Sequence, residues 1–448
     1  MEGGPRDISA PPHPRDLGHP HNRSDGGEMI LVVGAGLSGM SFSLHARGDD
    51  VLLVEKEREV GGLCRSIRVE GFTFDYTGHL LHLRDPSMEG WVKEVLPDWR
   101  LHHRRAAIHL GRTLIPYPFQ ANLWALPPSL KRECLEGYRR REAKGEGFVS
   151  WVKGNFGEGM AHHFFLPYNR KLWLYPLEEM APEWAERFIP IPDPSQVEEG
   201  AKAPPNRNYG YHHRFLYPSS GGIGAFSEAL GKGIKNLLLG KELVALRIAP
   251  KEAVFSDGEI IRYDRLIATL PLVELLRRIE DLPEEGEEWL RRLRYVSVTA
   301  LHLGIEGKVN FPYHWIYFPE PEYPFYRVGF PSSLSPSMAP QGMRSMTVEV
   351  AHLPDQSLDR ESLKDGCLRG LRRSGLLEEG ERVVVMRVSE IRHAYVFFDR
   401  WRGENLERIL AFLRRHGIYP LGRYARWEYS TMEDALREGR ALARELAG

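Results

Sequence analysis

Three glycines, Gly34, Gly36 and Gly39, stand between an apolar run and a second apolar segment in "MILVVGAGLSGMSFSLHA". The pattern is GxGxxG in the setting that dinucleotide binding requires. The first glycine permits a tight turn, the second lets backbone approach a pyrophosphate, and the third allows close packing of helix on strand. The start of the helix then offers free N–H groups and a positive dipole end to phosphate. "DVLLVE" supplies a second strand, and Glu55 at its end lies 21 residues after Gly34, placed to accept hydrogen bonds from ribose hydroxyls. A second cluster, "SSGGIGAF" (Ser219–Phe226), lacks the full spacing and an acidic strand end. It reads as a loop packed near the cofactor, with a nicotinamide-nucleotide site as the alternative.

A different chemistry is spelled by "IPYPFQANLW" (Ile115–Trp124), "PYNRKLW" (Pro167–Trp173) and "WIYFPEPEYPFYR" (Trp315–Arg327), where polar residues are threaded through aromatic ones. The first is too rich in proline for an inner strand and too polar for a core helix. Together they suit a polar pocket with stacking walls: aromatic faces for a base and a pyranose, amides for hydroxyls, and arginines for a diphosphate. Plainer readings stand beside this one. Trp173, Tyr317 and Phe164 equally suit a core, Arg187 and Arg327 suit surface ion pairs, and His79 suits a structural histidine. The histidine pairs at 102–103, 162–163 and 212–213 do not suggest a metal, because neighbours on a strand face opposite ways and no HExxH spacing occurs.

Six residues past Glu55 comes "GGLCRS" (Gly61–Ser66), then "GFTFDYTGH" ending in His79. An acidic ribose residue followed by Gly-Gly, a strand and a Gly-His turn resembles the flavoprotein superfamily of amine oxidases, protoporphyrinogen oxidases and UDP-galactopyranose mutases. The resemblance implies FAD, with contacts from Gly34, Gly36, Gly39, Glu55, Gly61, Gly62, Arg65, Val244, Gly422 and Met432. Near the far end, "GRYARWEYSTMEDALREGRALA" opens with Gly422–Arg423 and runs into an amphipathic final helix. In those families such a segment returns to the flavin, and a helix N-terminus there stabilises an anionic reduced ring; the alternative is a plain packing helix.

The three aromatic–polar segments resemble UDP-galactopyranose mutase, particularly the eukaryotic type, over most of residues 29–430. By that resemblance Tyr117 and Gln120 match uridine-site residues, and Phe164, Asn169 and Trp173 match nucleotide-side and sugar-side contacts. Arg327 matches a diphosphate-binding arginine, with Arg187, aligned across a one-residue gap, as its partner. Tyr317, Tyr395 and Tyr429 match tyrosines around the diphosphate and sugar, Arg423 a flavin-proximal arginine, and His79 the histidine beside the isoalloxazine. Three positions depart from the pattern: Thr77 replaces a glycine before Gly78–His79, His212 replaces a substrate-site asparagine, and Leu334 replaces a tyrosine. The implied function is interconversion of UDP-galactopyranose and UDP-galactofuranose, as in cell wall polysaccharide biosynthesis, with reduced FAD as the active form. Its N5 attacks the anomeric carbon, giving a glycosyl adduct with no net redox change, and an external electron donor is needed. The rivals are an oxidase of the amine or protoporphyrinogen type and a flavin-containing binding protein without turnover.

The expected fold is α/β, a Rossmann-like FAD-binding domain with an inserted helical domain and an antiparallel sheet domain. FAD-binding pieces are expected at 29–110, 215–300 and 385–448, the helical substrate domain at 111–214, and the sheet domain at 301–384. Residues 1–28, poor in apolar side chains, read as a disordered tail, and Pro190–Asn208 as a loop. The 448 residues, 42% of them apolar, allow more than one domain. A net charge of -1 gives no general pull toward nucleic acid or anionic lipid. Cys64, Cys134 and Cys367 form no CxxC pair, which suits a reducing cytoplasm, and no apolar run approaches the ~18 residues of a membrane span.

Overall fold

A computed structural model describes residues 28–46, 50–142, 145–205, 209, 213–307 and 311–447. Apart from Glu28, the expected tail lies outside the described residues, as does His212. The chain enters on β1 (Ile30–Val33), turns at the glycines into α1 (Leu37–His45), and returns on β2 (Val51–Glu55). Gly34 has φ +103°, and a Cβ there would lie 2.2 Å from Thr269 Oγ1, so only glycine fits this turn. A Cβ at Gly39 would lie 2.1 Å from the Gly34 carbonyl oxygen, which is why the helix can lie against the turn. β1 and β2 belong to a five-stranded parallel sheet with spatial order 418–420, 265–268, β1, β2, 237–239. Chain order reverses beside β1, so a crevice opens at the carboxyl ends of these strands, the usual ligand position in such sheets.

A hairpin of β3 (Ser66–Val69) and β4 (Phe72–Asp75) follows. The second layer is a seven-stranded sheet ordered 383–396, 295–306, 343–352, 327–329, 315–317, 106–110, 113–116. It is antiparallel, as expected, among the strands of 301–384, and a parallel pair joins Trp315–Tyr317 to Ala106–Leu110 from outside that segment. Strands 295–306, 383–396 and the 106–116 hairpin cross the domain limits expected at 300, 384 and 110. The long strands are continuous because their alternating apolar residues pair in register from Ser297–His352 to Glu306–Met343.

Helices Pro128–Arg139, Gly147–Met160 and Leu166–Trp173 form the third layer. The segment expected to be a loop at Pro190–Asn208 contains helix Pro194–Gly200. Asp193 caps it, Pro194 takes the first helical position, and the Gln196 side chain returns to the Asp193 backbone, a capping box that the proline content masked. The three-stranded meander over 243–262 turns where expected, at Ser256–Gly258. The final helix Met432–Ala447 packs on α1; Ser41 Oγ donates to the Leu436 carbonyl at 2.6 Å, and a Cβ at Gly439 would meet Ser38 O at 2.6 Å.

Candidate functional site

A cavity of about 900 Å³ runs between the parallel and seven-stranded sheets, a size suited to a large organic ligand. One end is built by backbone. Gly34, Gly36, Gly61, Gly62, Glu55, Arg65, Gly422 and Met432 all line it. A Cβ at Gly36 would meet no protein atom within 4 Å, so the start of α1 faces open space, with no side-chain cap on its N–H groups. Glu55 is buried; its Oε2 accepts the Ala35 N–H at 2.7 Å and its Oε1 the Glu57 N–H at 3.0 Å, which fixes the carboxylate at the end of β2. Two of the expected cofactor residues stand outside the wall. Gly39 packs α1 on the turn, and Val244 is 45% exposed while Glu242 and Leu243 beside it line the cavity.

At the other end, His79, Arg327, Arg423, Tyr317 and Tyr429 share the wall. Burial, reinforced by the Arg423 charge, pushes His79 down to about 4, so the imidazole is neutral at pH 7. Arg423 donates to the carbonyls of Ser430 at 3.1 Å and Ala394 at 3.2 Å, and lies 4.3 Å from the Tyr429 ring centroid. His79 Nδ1, Arg423 Nε and Ser430 Oγ are buried polar atoms without partners among the described residues. Unpaired buried groups cost free energy. Together with the glycine cradle and Glu55, these atoms fit a nucleotide joined to a polar ring system, which is FAD.

The substrate-side residues divide. Tyr117 and Tyr317 line the cavity with ring centroids 5.7 Å apart, and Arg104 lies 4.4 Å over the Tyr117 ring. Gln120, Phe164, Asn169 and Trp173 do not line it, because the helical layer uses them internally. Asn169 donates to Phe165 O at 2.8 Å and accepts from Trp173 Nε1 at 3.0 Å, so both its ends are taken. Trp173 is fully buried, Phe164 stacks on Phe119 at 5.2 Å, and Gln120 Nε2 donates to the Pro190 carbonyl. Tyr395 sits behind the wall, stacked 6.0 Å from Tyr429. Leu334, the departure from tyrosine, is buried and lines the cavity.

The two expected diphosphate arginines are both paired. Arg187 donates to Asp434 at 2.7 and 2.8 Å and is not part of the wall, although its neighbour Phe188 is. Arg327 grips Glu349 through Nε at 2.9 Å and Nη2 at 2.8 Å. Glu349 is 1% exposed and also accepts from Tyr326 Oη. Nη1 of Arg327 has no partner among the described residues. Sequence reasoning missed Glu349, which faces Arg327 across the sheet; the signal was a lone glutamate in the apolar strand "MTVEVAH". His314, Trp315 and Arg104 were also missed as wall residues. Among the described residues no group of three His, Cys, Asp or Glu could hold a metal ion, and no helix is long and apolar enough to cross a membrane.

The family model of flavin containing amine oxidoreductases matches residues 37–447. A crystal structure of reduced UDP-galactopyranose mutase superposes with a TM-score of 0.89 at 26% identity, covering 94% of each chain. A redesigned putrescine oxidase superposes at 0.62 with 15% identity, covering 94% of this chain and 98% of that one, a likeness of fold alone. By sequence, 4,4'-diapolycopene oxygenase of a Methylomonas species is 24% identical over 81% of this chain and 84% of its own length. An uncharacterized protein of Methanothermococcus thermolithotrophicus is 46% identical over 54 residues, and the match spans only 52% of that relative and 12% of this chain.

Proposed function

We propose, for a chain that belongs to the family of flavin containing amine oxidoreductases, that it binds a nucleoside-diphosphate sugar over FAD and interconverts UDP-galactopyranose and UDP-galactofuranose. The observation that carries this reading is the likeness to the reduced mutase over 94% of both chains at a TM-score of 0.89. The glycine cradle, Glu55, His79 and Arg423 would hold FAD. When bound in its reduced form, FAD supplies a nucleophile toward the sugar without net redox change.

The protein's own part is charge and orientation. A departing diphosphate needs preorganised donors. Arg327 offers Nη1, while its charge is balanced by Glu349. Arg423 lies in the same wall with no carboxylate partner among the described residues, which leaves its charge available to offset an anion. Tyr317 and Tyr429 offer hydroxyls, and neutral His79 offers a ring nitrogen that can accept or donate one hydrogen bond.

A second reading, a flavin oxidoreductase acting on an apolar substrate, is favoured by the likeness to 4,4'-diapolycopene oxygenase over 81% of the chain. The two separate by ligand-induced stabilisation. Saturating UDP should raise the melting temperature of the holoenzyme, since ~100-fold excess over Kd contributes about 2.7 kcal/mol. No shift with UDP, and a shift with an apolar polyene, would favour the oxidoreductase.

A further inference from the structure

Asp75 ends β4, two residues before the Thr77–Gly78–His79 turn, and is 6% exposed in the cavity wall. It gathers three donors from three segments. Tyr217 Oη donates at 2.6 Å, Ser66 Oγ at 2.7 Å and the Ile223 N–H at 3.0 Å. Ser66 Oγ in turn accepts the Gly224 N–H at 2.8 Å. The "SSGGIGAF" segment is thus bound to the β3–β4 hairpin through one carboxylate. A Cβ at Gly222, where φ is +70°, would come within 2.4 Å of Ser66 Oγ and 2.7 Å of Asp75 Oδ1, so the glycine pair admits that approach. Burial lifts Asp75 to about 6 while the three donors hold it down. No cation pairs with it among the described residues. Among the described residues, the titratable groups that act on it are Tyr217 from strand 214–218 and the Cys64 thiol, itself pushed up by burial and by Asp75.

We propose that Asp75 is a positioning residue that also sets the electron affinity of the bound flavin: its uncompensated carboxylate locks the glycine loop and the His79 turn to the cavity wall and opposes the negative charge that reduction adds. The inference rests on FAD binding and not on the mutase reading. A buried charge acts through a low effective dielectric, so one carboxylate along the same cavity weighs on the reduction equilibrium far more than a surface charge does. Arg423 acts in the opposite sense from the same wall. The balance of the two leaves a reduced flavin that is electron-rich, which any nucleophilic or hydride-giving use of it needs.

Asp75→Asn separates charge from shape. Its Oδ1 can keep Ser66 and Ile223, its amide can donate to Tyr217 Oη, and the Tyr217 hydroxyl can turn to Met338 Sδ at 3.6 Å. Reference-dye redox titration of the holoenzyme at pH 8.5 should show the variant ~10-fold more reduced at a fixed poise, about 30 mV positive for a two-electron couple. Tyr217→Phe keeps the carboxylate ionised at that pH and should match wild type. At pH 6.5 the lost donor lets the carboxyl take a proton, so Tyr217→Phe should there be the more reducible protein. A wild-type potential for flavin-loaded Asp75→Asn would overturn the proposal, as would equal shifts of both variants at pH 8.5. If Asp75→Asn does not load flavin, the Tyr217→Phe pair decides: a difference from wild type that is the same at pH 6.5 and 8.5 contradicts the charge.

Discussion

The cofactor end of the cavity and the helical wall behind Tyr117 were built by different means. At the cofactor end glycine backbone forms the cavity wall, and His79 Nδ1, Arg423 Nε and Ser430 Oγ have no partners among the described residues. In the helical wall the polar groups have largely paired among themselves: Asn169 with Phe165 and Trp173, and Gln120 with Pro190, although Gln120 Oε1 has no partner among the described residues. A site made of backbone has its shape set by the fold, because glycine positions and strand ends are fixed by the strands and turns around them. A site made of amides and indoles can close on itself, and a ligand must then exchange those bonds for its own at a net gain of only about 1 kcal/mol each.

The strongest way to break the contrast is at Gly36. Its backbone is extended and a side chain would project into the cavity, so Gly36→Val should fold yet lose nearly all bound flavin, read as the ratio of flavin to protein absorbance. Full flavin content would mean that the cradle is not where FAD lies. Next is the pair Arg327–Glu349. Arg327→Ala leaves a buried carboxylate unpaired, which costs about 3–5 kcal/mol. Arg327→Met with Glu349→Leu should recover much of that in a denaturant titration, whereas Arg327→Lys should keep fold and flavin but lose ~10- to ~150-fold in kcat/KM, the cost of a charged hydrogen bond. Equal destabilisation by the single and double changes would show that the charge pair is not what matters.

Acid should reach the cavity and the sheet core together. His79, His82, His302 and His393 are pushed down to about 4 by burial, and His314 to about 3. Unfolded histidines take up protons near 6.5 and these folded ones cannot, so stability present above pH 6.5 should fall steadily toward pH 4. Asp75 at about 6 and Glu438 at about 7, both raised by burial, oppose that trend without reversing it. Urea midpoints across pH 4.5–7.5 check it; a flat profile would contradict the neutral buried histidines. The smallest expected effect is at Gln120: Gln120→Ala should raise KM several-fold, about 1 kcal/mol, with little change in kcat, because the amide is spent on Pro190 until substrate competes for it.

This contrast also explains what was legible in the sequence. Gly34, Gly36, Gly61 and Glu55 were readable because local backbone geometry dictates them, and the strand–turn–helix around them is short-range. The capping box at Asp193–Gln196 was equally local, but proline content hid it. Arg327–Glu349 and Arg187–Asp434 join residues 22 and 247 positions apart, and no local spacing signals such pairing. Nor could spacing tell whether Asn169 and Trp173 face a ligand or each other. The strand 343–352 shows the middle case: a glutamate among valines was visible, but its partner only became visible with the register.

The measurement that bears most directly on the account is single-vessel incubation of UDP-galactofuranose with dithionite-reduced and with rigorously oxidised holoenzyme, followed by anion-exchange chromatography. The account predicts conversion to UDP-galactopyranose by the reduced protein, none by the oxidised protein, and no loss of reducing equivalents per turnover. Absence of conversion by flavin-loaded reduced protein that still binds UDP, or equal conversion in both redox states, would contradict it.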